Sequence, residues 1–278
     1  MKKVLFVLAL WFLATWAYKD QIKPFIMSEF NIGTKKPTLP DITDTVLRDT
    51  TTSPAGILLN STNAVHGIDI SHYQRNEAND LSKIKISEGL LFIICKATEG
   101  ISMDSSFERN WADIANNKLV RGAYHFYHCD FGALQQAQFF YSTISAKGPL
   151  SDVYDLPPII DFETSKTINN HCGSNTTDSI IVFLTEIERL TKRKPIIYIN
   201  RTDANNYLNN SKFASYPLWI AAPINQLEYH DLPKAWQGKW SFWQKSWSYT
   251  IDGIKNDLDK FNGDLKLLKK FIKTSIIK

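Results

Sequence analysis

From residue 66 onward, short runs rich in Ile, Val and aromatic residues alternate with segments whose apolar residues recur every three or four positions. The strand-like runs are HGIDIS at 66–71, LLFIICKAT at 90–98, VRGAYHFYH at 120–128, PPIIDFE at 157–163, KPIIYIN at 194–200, PLWIAAP at 217–223, KWSFWQKS at 239–246 and DLDKFNG at 257–263. Each is short, β-branched or aromatic, and flanked by turn formers. Helical periodicity covers 105–118, with Phe107, Trp111, Ile114 and Ala115 on one stripe, and then 134–146. It returns over 177–191, with Ile180, Ile181, Leu184, Ile187 and Leu190 on one face and Thr176 or Thr177 as N-cap, and over 203–209. Eight strands alternating with helices in so short a span predict an α/β fold, a compact TIM-like (β/α) barrel in a single catalytic domain. The helices between the later strands are short or missing, so the barrel is expected to be irregular. Lys266, Lys269, Lys270 and Lys273 keep helical spacing and predict a solvated helix face.

The domain so defined is 63–278. Ahead of it, Lys2 and Lys3 precede an apolar run to Ala17, long enough for the core of a signal peptide and short for a spanning helix. Residues 1–17 are therefore read as an export signal or a retained N-terminal membrane anchor. Residues 18–62 hold Pro24, Pro37, Pro40 and Pro54 without sustained periodicity and read as a flexible tether. Export fits the balance of charge: a formal net charge of +4 suits work near an anionic surface. It lacks the dense Lys/Arg stripe with interleaved aromatics that a nucleic-acid partner needs.

The chain has three cysteines and no CxxC pair, so structural zinc has no support. Cys95 lies inside an apolar run and reads as a buried thiol. Cys129 follows the third strand and Cys172 the fourth, and after export the two are expected to be able to bridge. His125 and His128, three apart on a strand, face opposite ways and make a poor metal pair. No metal and no cofactor are expected. A Ser-His-Asp hydrolase is disfavoured because no G-x-S-x-G elbow occurs.

The acids carry more information. Asp69 falls near the end of the first strand, Asp161 and Glu163 at the end of the fourth, and Asp257 opens the last. Catalytic groups of such barrels gather at the C-terminal ends of the strands. In Asp161-Phe162-Glu163 the two carboxylates share one strand face, with Cα atoms roughly 6.6–6.8 Å apart. Two acids beside a wholly apolar stretch are costly as structure alone, and their proximity raises the pKa of one, as a general acid requires. The spacing alone equally fits a strand end where acids meet solvent. Tyr124, Tyr198, Trp219 and Trp243 fit either a core or the wall of a sugar cleft.

In order, HGIDISHYQ, FIICKATEG, RGAYHFYH, LPPIIDFE, KPIIYIN, PLWIAAP, SFWQKS and GIKNDLDKFNG resemble the successive motifs of glycoside hydrolase family 25, the lysozymes or muramidases. The resemblance runs from about residue 66 to 268. It implies an irregular β/α barrel that hydrolyses the β-1,4 bond between N-acetylmuramic acid and N-acetylglucosamine in peptidoglycan. It implies Asp69, Asp161, Glu163 and Asp257 in the cleft, with Glu163 as general acid, and Tyr124, Tyr198, Trp219 and Gln244 against the substrate. The closing motif departs from the family's usual Asp-x-Asn: Asp259 stands where Asn is common, and Asp257 is taken as the acid facing the cleft. The partner implied is a peptidoglycan glycan strand, met by a monomer outside the cytoplasm, secreted or periplasmic. Two other readings stand beside this one. A chitinase-like hydrolase usually carries D-x-D-x-E, but Ile159 occupies the first of those positions here. A wall-binding protein that lost catalysis would not need all four acids.

Overall fold

The structure, a computed structural model, describes residues 65–74, 89–165, 169, 171–251 and 253–277. The expected export segment, 1–17, and tether, 18–62, lie outside the described residues. Strands β1 (Val65–Ile70), β2 (Phe92–Glu99), β4 (Val120–Phe126), β5 (Ile159–Asp161), β6 (Ile196–Asn200), β7 (Leu218–Ala221), β8 (Phe242–Ile251) and β9 (Ile254–Phe261) form one sheet. A two-residue strand, β3 (Ser102–Met103), pairs with β2 outside the ring. The sheet closes into a barrel because β1 pairs with β2 on one side and with β9 on the other. The expected irregular barrel is therefore present.

The helices are α1 (Phe107–Asn116), α2 (Ala133–Ser145), α3 (Thr176–Thr191), α4 (Arg201–Tyr207) and α5 (Leu265–Thr274). The apolar stripes read from the sequence face the barrel. Phe107, Trp111 and Ile114 of α1, Phe140 and Ile144 of α2, and Ile180, Phe183, Leu184 and Ile187 of α3 are buried against Ile68, Ile70, Ile93 and Cys95. The N-cap of α3 is Asn175, not Thr176 or Thr177. Thr176 instead accepts from the Gly173 N–H at 3.0 Å, and the Thr177 hydroxyl donates to the Tyr207 carbonyl at 2.7 Å.

Period-two alternation sends the other strand face inward. Val65, Phe92, Ile94, Val120, Ile159, Ile196, Phe242 and Phe261 fill the barrel's interior, and Leu268 and Ile272 of α5 join them. Phe271 lies edge-on to both Phe242 and Phe261, at 5.6 and 5.8 Å between ring centroids. Helix α5 thus closes the floor of the barrel. Lys266, Lys270 and Lys273 lie exposed on its outer face.

The last two strands depart from the parallel pattern. β8 runs parallel to β7, but β9 turns back antiparallel to both β8 and β1. The last strand begins at Ile254, three residues before the run read from the sequence, and β8 continues to Ile251. The turn signal is in the sequence, as Asp252-Gly253, and Gly253 has φ +80°. The reversal decides where Asp257 goes. At the start of a parallel strand it would sit on the floor; at the start of an antiparallel one it sits at the mouth, directly paired with Asp69.

Gly67 faces the interior, and a methyl group there would overlap the Phe92 ring and the Phe92 carbonyl oxygen. Phe92 is fully buried against Phe242 and the carbonyl is backbone, so neither can withdraw cheaply. Gly67→Ala is expected to destabilise the fold by about 1–3 kcal/mol, lowering Tm by about 2–4 °C per kcal/mol. Thermal unfolding reads this directly, and an unchanged Tm would show that the ring has room to move.

Candidate active site

At the C-terminal ends of the parallel strands, apolar interior gives way to carboxyl groups. β1 brings Asp69, β5 brings Asp161 and the residue two beyond it, Glu163, and β9 brings Asp257 and Asp259. The ladder carries on past the end of β5: the Phe162 N–H donates to the Tyr198 carbonyl at 3.1 Å. Asp161 and Glu163 therefore keep a common face, and Phe162 is buried on the other. A cleft of about 200 Å³ opens there. The eight residues that the family resemblance implies at the site all line it: Asp69, Tyr124, Asp161, Glu163, Tyr198, Trp219, Gln244 and Asp257.

Hydrogen bonds tie the floor of the cleft together. Gln244 Nε2 donates to Asp69 Oδ2 at 2.7 Å, and Gln244 Oε1 accepts from the Tyr198 hydroxyl and from Trp247 Nε1, both at 2.8 Å. The amide is thereby locked, with its NH₂ group toward the acid. Tyr198 stands edge-on to Trp219 at 4.6 Å, and Trp219 Nε1 donates to Asp259 Oδ1 at 2.9 Å. Trp243, also considered as a cleft residue, is core instead: it is buried, and its Nε1 donates to the Ala222 carbonyl at 2.7 Å.

These carboxyls cannot all ionise in so small a volume. Burial raises Asp69, Asp161 and Asp259 well above the ordinary aspartate range, and each is raised further by neighbouring carboxylates. Burial also raises Glu163, partly offset by a hydrogen bond with Tyr198. Asp257, nearer solvent, is pushed up to about 6 by burial and then by Glu163. Asp161 Oδ1 is buried with no hydrogen-bond partner among the described residues, whereas the protonated Asp259 hydrogen-bonds to Asp69, which raises Asp259 and lowers Asp69.

Several residues at the site were not singled out from the sequence. Lys96 is buried in the cleft wall, pairs with Glu99, and lies 4.9 Å over the Phe126 ring. Its signal was present, a lysine inside the apolar run FIICKAT, since a buried ammonium needs a partner. Tyr73 lines the cleft with 82% of its surface exposed. Trp247 is 59% exposed where the β8–β9 register slips between Ser246 and Tyr249, and such bulges re-aim side chains beside active sites. A larger cavity of about 430 Å³ adjoins the cleft and shares Lys96. Its acids, Glu99 and Asp104, are each tied to a histidine, His128 and His72, so the free carboxyl cluster belongs to the smaller space.

His125 is fully buried, bonded to Thr98 and Gln136 and stacked on Phe183 at 5.0 Å. Burial lowers its pKa to about 3, so it is a neutral core residue. His128, beyond the strand, reaches Glu99 at 2.9 Å. Among the described residues no group of three or more His, Cys, Asp or Glu is arranged to hold a metal ion.

The buried Asp259 makes stability depend on pH with a definite sign. Its folded pKa lies above its ordinary value of 3.8. The resulting stabilisation is complete below that value and is lost as pH rises toward the folded pKa, where the group must ionise inside the barrel. Asp259→Asn has no proton to lose. Its unfolding free energy relative to wild type should therefore rise between pH 4 and pH 7, by no more than about 1.4 kcal/mol per pH unit, and its relative Tm should rise with it. Parallel Tm curves for the two proteins over that range would show that Asp259 carries no such burden.

Comparison with known proteins agrees with this architecture. The model of the glycosyl hydrolases family 25 matches residues 68–254. A curated N,O-diacetylmuramidase of Arthroderma benhamiae is 29% identical over 228 residues, covering 80% of this chain and 92% of the relative. Lysozyme M1 of Streptomyces globisporus is 32% identical over 216 residues, covering 73% and 69%. Among solved structures, a muramidase from Trichobolus zukalii superposes with a TM-score of 0.66 at 31% identity, covering 76% of this chain and all of that one. With the barrel, the acid-lined mouth and the family model in agreement over most of the described residues, the chain belongs to glycosyl hydrolase family 25 and is a glycoside hydrolase.

Proposed function

We propose that this chain is an exported lysozyme-type muramidase that cleaves the β-1,4 bond between N-acetylmuramic acid and N-acetylglucosamine in peptidoglycan, with Glu163 as general acid and Asp161 assisting. The observation that carries the reading is the acid pair at the end of β5, set in an aromatic-walled cleft and facing Asp69 and Asp257. Relatives named as muramidases and a lysozyme support the substrate.

The roles follow from the environments. Glu163 is less buried than Asp161 and so stands nearer the incoming substrate. Its raised pKa keeps a fraction protonated toward neutral pH, and that proton goes to the leaving sugar oxygen. Because the pKa is raised, turnover falls as pH rises through it. Asp161 lines the cleft beside Glu163, which suits its carboxyl to accept the N–H of an acetamido group. Asp161 and Glu163 share one strand, so they lie on one side of the sugar ring. The attack on the anomeric carbon then comes from the substrate's own acetamido oxygen on the other face, a known exception to the carboxylate pair. Asp161 orients that group and stabilises the positive ring. Tyr198 and Trp219, with the exposed Tyr73 and Trp247, offer apolar faces to the sugar rings.

For the chain outside the described residues, we propose that 1–17 directs export or anchors the protein and that 18–62 is a spacer. N-terminal sequencing of the exported protein distinguishes cleavage from retention.

Glu163→Gln is expected to fold with a Tm near that of wild type and to lose at least about 10²–10⁴-fold in kcat on purified peptidoglycan. Near-normal turnover by the folded variant would move the acid role elsewhere, with Asp69 the next candidate. The same substrate tests the stereochemistry. NMR before mutarotation should find β-configured product first, because two displacements retain configuration. An α-configured first product would replace acetamido attack with a water activated by Asp257 or Asp69.

A further inference from the structure

Glu163 stands beyond the hydrogen-bonded strand that should hold it. β5 ends at Asp161, so the backbone around Glu163 needs partners from elsewhere. On one side the Thr164 N–H donates to Asp203 Oδ2 at 2.9 Å. On the other, the Glu163 carbonyl accepts from Asn169 Nδ2 at 2.8 Å.

Asn169 makes three side-chain hydrogen bonds. The same Nδ2 donates to the Tyr127 carbonyl at 2.7 Å, and Oδ1 accepts from the Cys129 N–H at 2.9 Å. One amide thus joins the chain after β4 to the chain after β5. Asn169 is 6% exposed and holds φ +55°, a left-handed conformation that Asn tolerates. The Cys172 N–H donates to its carbonyl at 3.2 Å. Cys129 and Cys172, which grip Asn169 from either side, are joined to each other by a disulfide with Cα atoms 5.3 Å apart. The bridge expected from the sequence is therefore present, and it straddles the residue that holds Glu163.

We propose that Asn169, locked by the Cys129–Cys172 disulfide, is the positioning residue for Glu163, and that full hydrolytic activity therefore requires the oxidised protein. The inference rests on the reading of Glu163 as the acid. In the dithiol form the two sulfurs part, Cys129 and Cys172 no longer fix the two ends of the amide's cradle, and Glu163 loses its place relative to Asp161. Oxidation forms the S–S bond as the two thiols release two protons and pass two electrons to a disulfide-bearing oxidant, which becomes a dithiol. Chain still in a reducing compartment is thereby held at low activity, and the enzyme matures where such an oxidant is present. Cys95 is buried, lies apart from this bridge and takes no part.

The test uses the full chain and a soluble peptidoglycan fragment, with kcat and KM measured across pH. The proteins compared are oxidised wild type, wild type reduced with dithiothreitol, Cys129→Ser/Cys172→Ser, Asn169→Gly and Glu163→Gln. Glycine accepts the left-handed backbone, so Asn169→Gly keeps the fold and removes only the amide. It should lose on the order of 10²-fold in kcat, as misplacement by about 1 Å does, while KM changes less than about twofold. Its alkaline limb should move to lower pH, because a Glu163 released toward water loses the burial that raises its pKa. Reduced wild type and the double serine variant should move the same way, and reoxidation should restore the wild type. Loss of stability alone lowers the active fraction without moving the pH limb. If Asn169→Gly and the reduced protein match oxidised wild type in kcat and pH limb while Glu163→Gln is inactive, the clamp is wrong and the acid assignment survives. If Glu163→Gln turns over normally, the acid assignment fails and takes this inference with it.

Discussion

Like-charge crowding in a small buried volume governs this molecule. Asp69, Asp161, Glu163, Asp257 and Asp259 converge on one barrel mouth, and the buried cation beside them, Lys96, is already paired with Glu99. Left to solvent, five acids would ionise and repel one another apart. Inside the barrel they are held by strands that cannot separate without breaking the sheet, and they respond by keeping protons. The chemistry of the site is thus a product of confinement. The same carboxyls on a loop would titrate near their ordinary values and have nothing to donate at neutral pH.

Confinement in turn sets demands on the scaffold. Each acid comes from a different part of the ring or a different depth of it, so closure of the sheet is what brings them together. The reversed β9 strand is central: it returns the chain to β1 and lifts Asp257 to the rim while Asp259 sits below it. The packed helices α1 and α2 brace β2 and β4, between β1 and β5, and α3 packs on α2. Gln244 links β1 and β6 by bonding Asp69 and Tyr198 with one side chain.

Much of this was legible in the sequence because periodicity reports which face is buried. The alternation in PPIIDFE places Asp161 and Glu163 on one side whether or not the neighbouring strands are known. Strand direction is not encoded in that way. A run such as DLDKFNG looks the same parallel or antiparallel, and only the Asp252-Gly253 turn signal hints that β9 is the return arm of a hairpin. Long-range partners were least legible. Nothing near Asn169 shows that its amide reaches the Tyr127 and Glu163 carbonyls, because those contacts exist only once β4 and β5 lie side by side. Trp247 was hidden for a related reason: its place at the cleft depends on a register slip, which residue composition does not mark.

Helix α5 carries a topological consequence. With Leu268, Ile272 and Phe271 sealing the base, the barrel is a cup and not a tube. Side chains fill the interior above that base, so nothing passes through the barrel and the acids are reached from the mouth side alone.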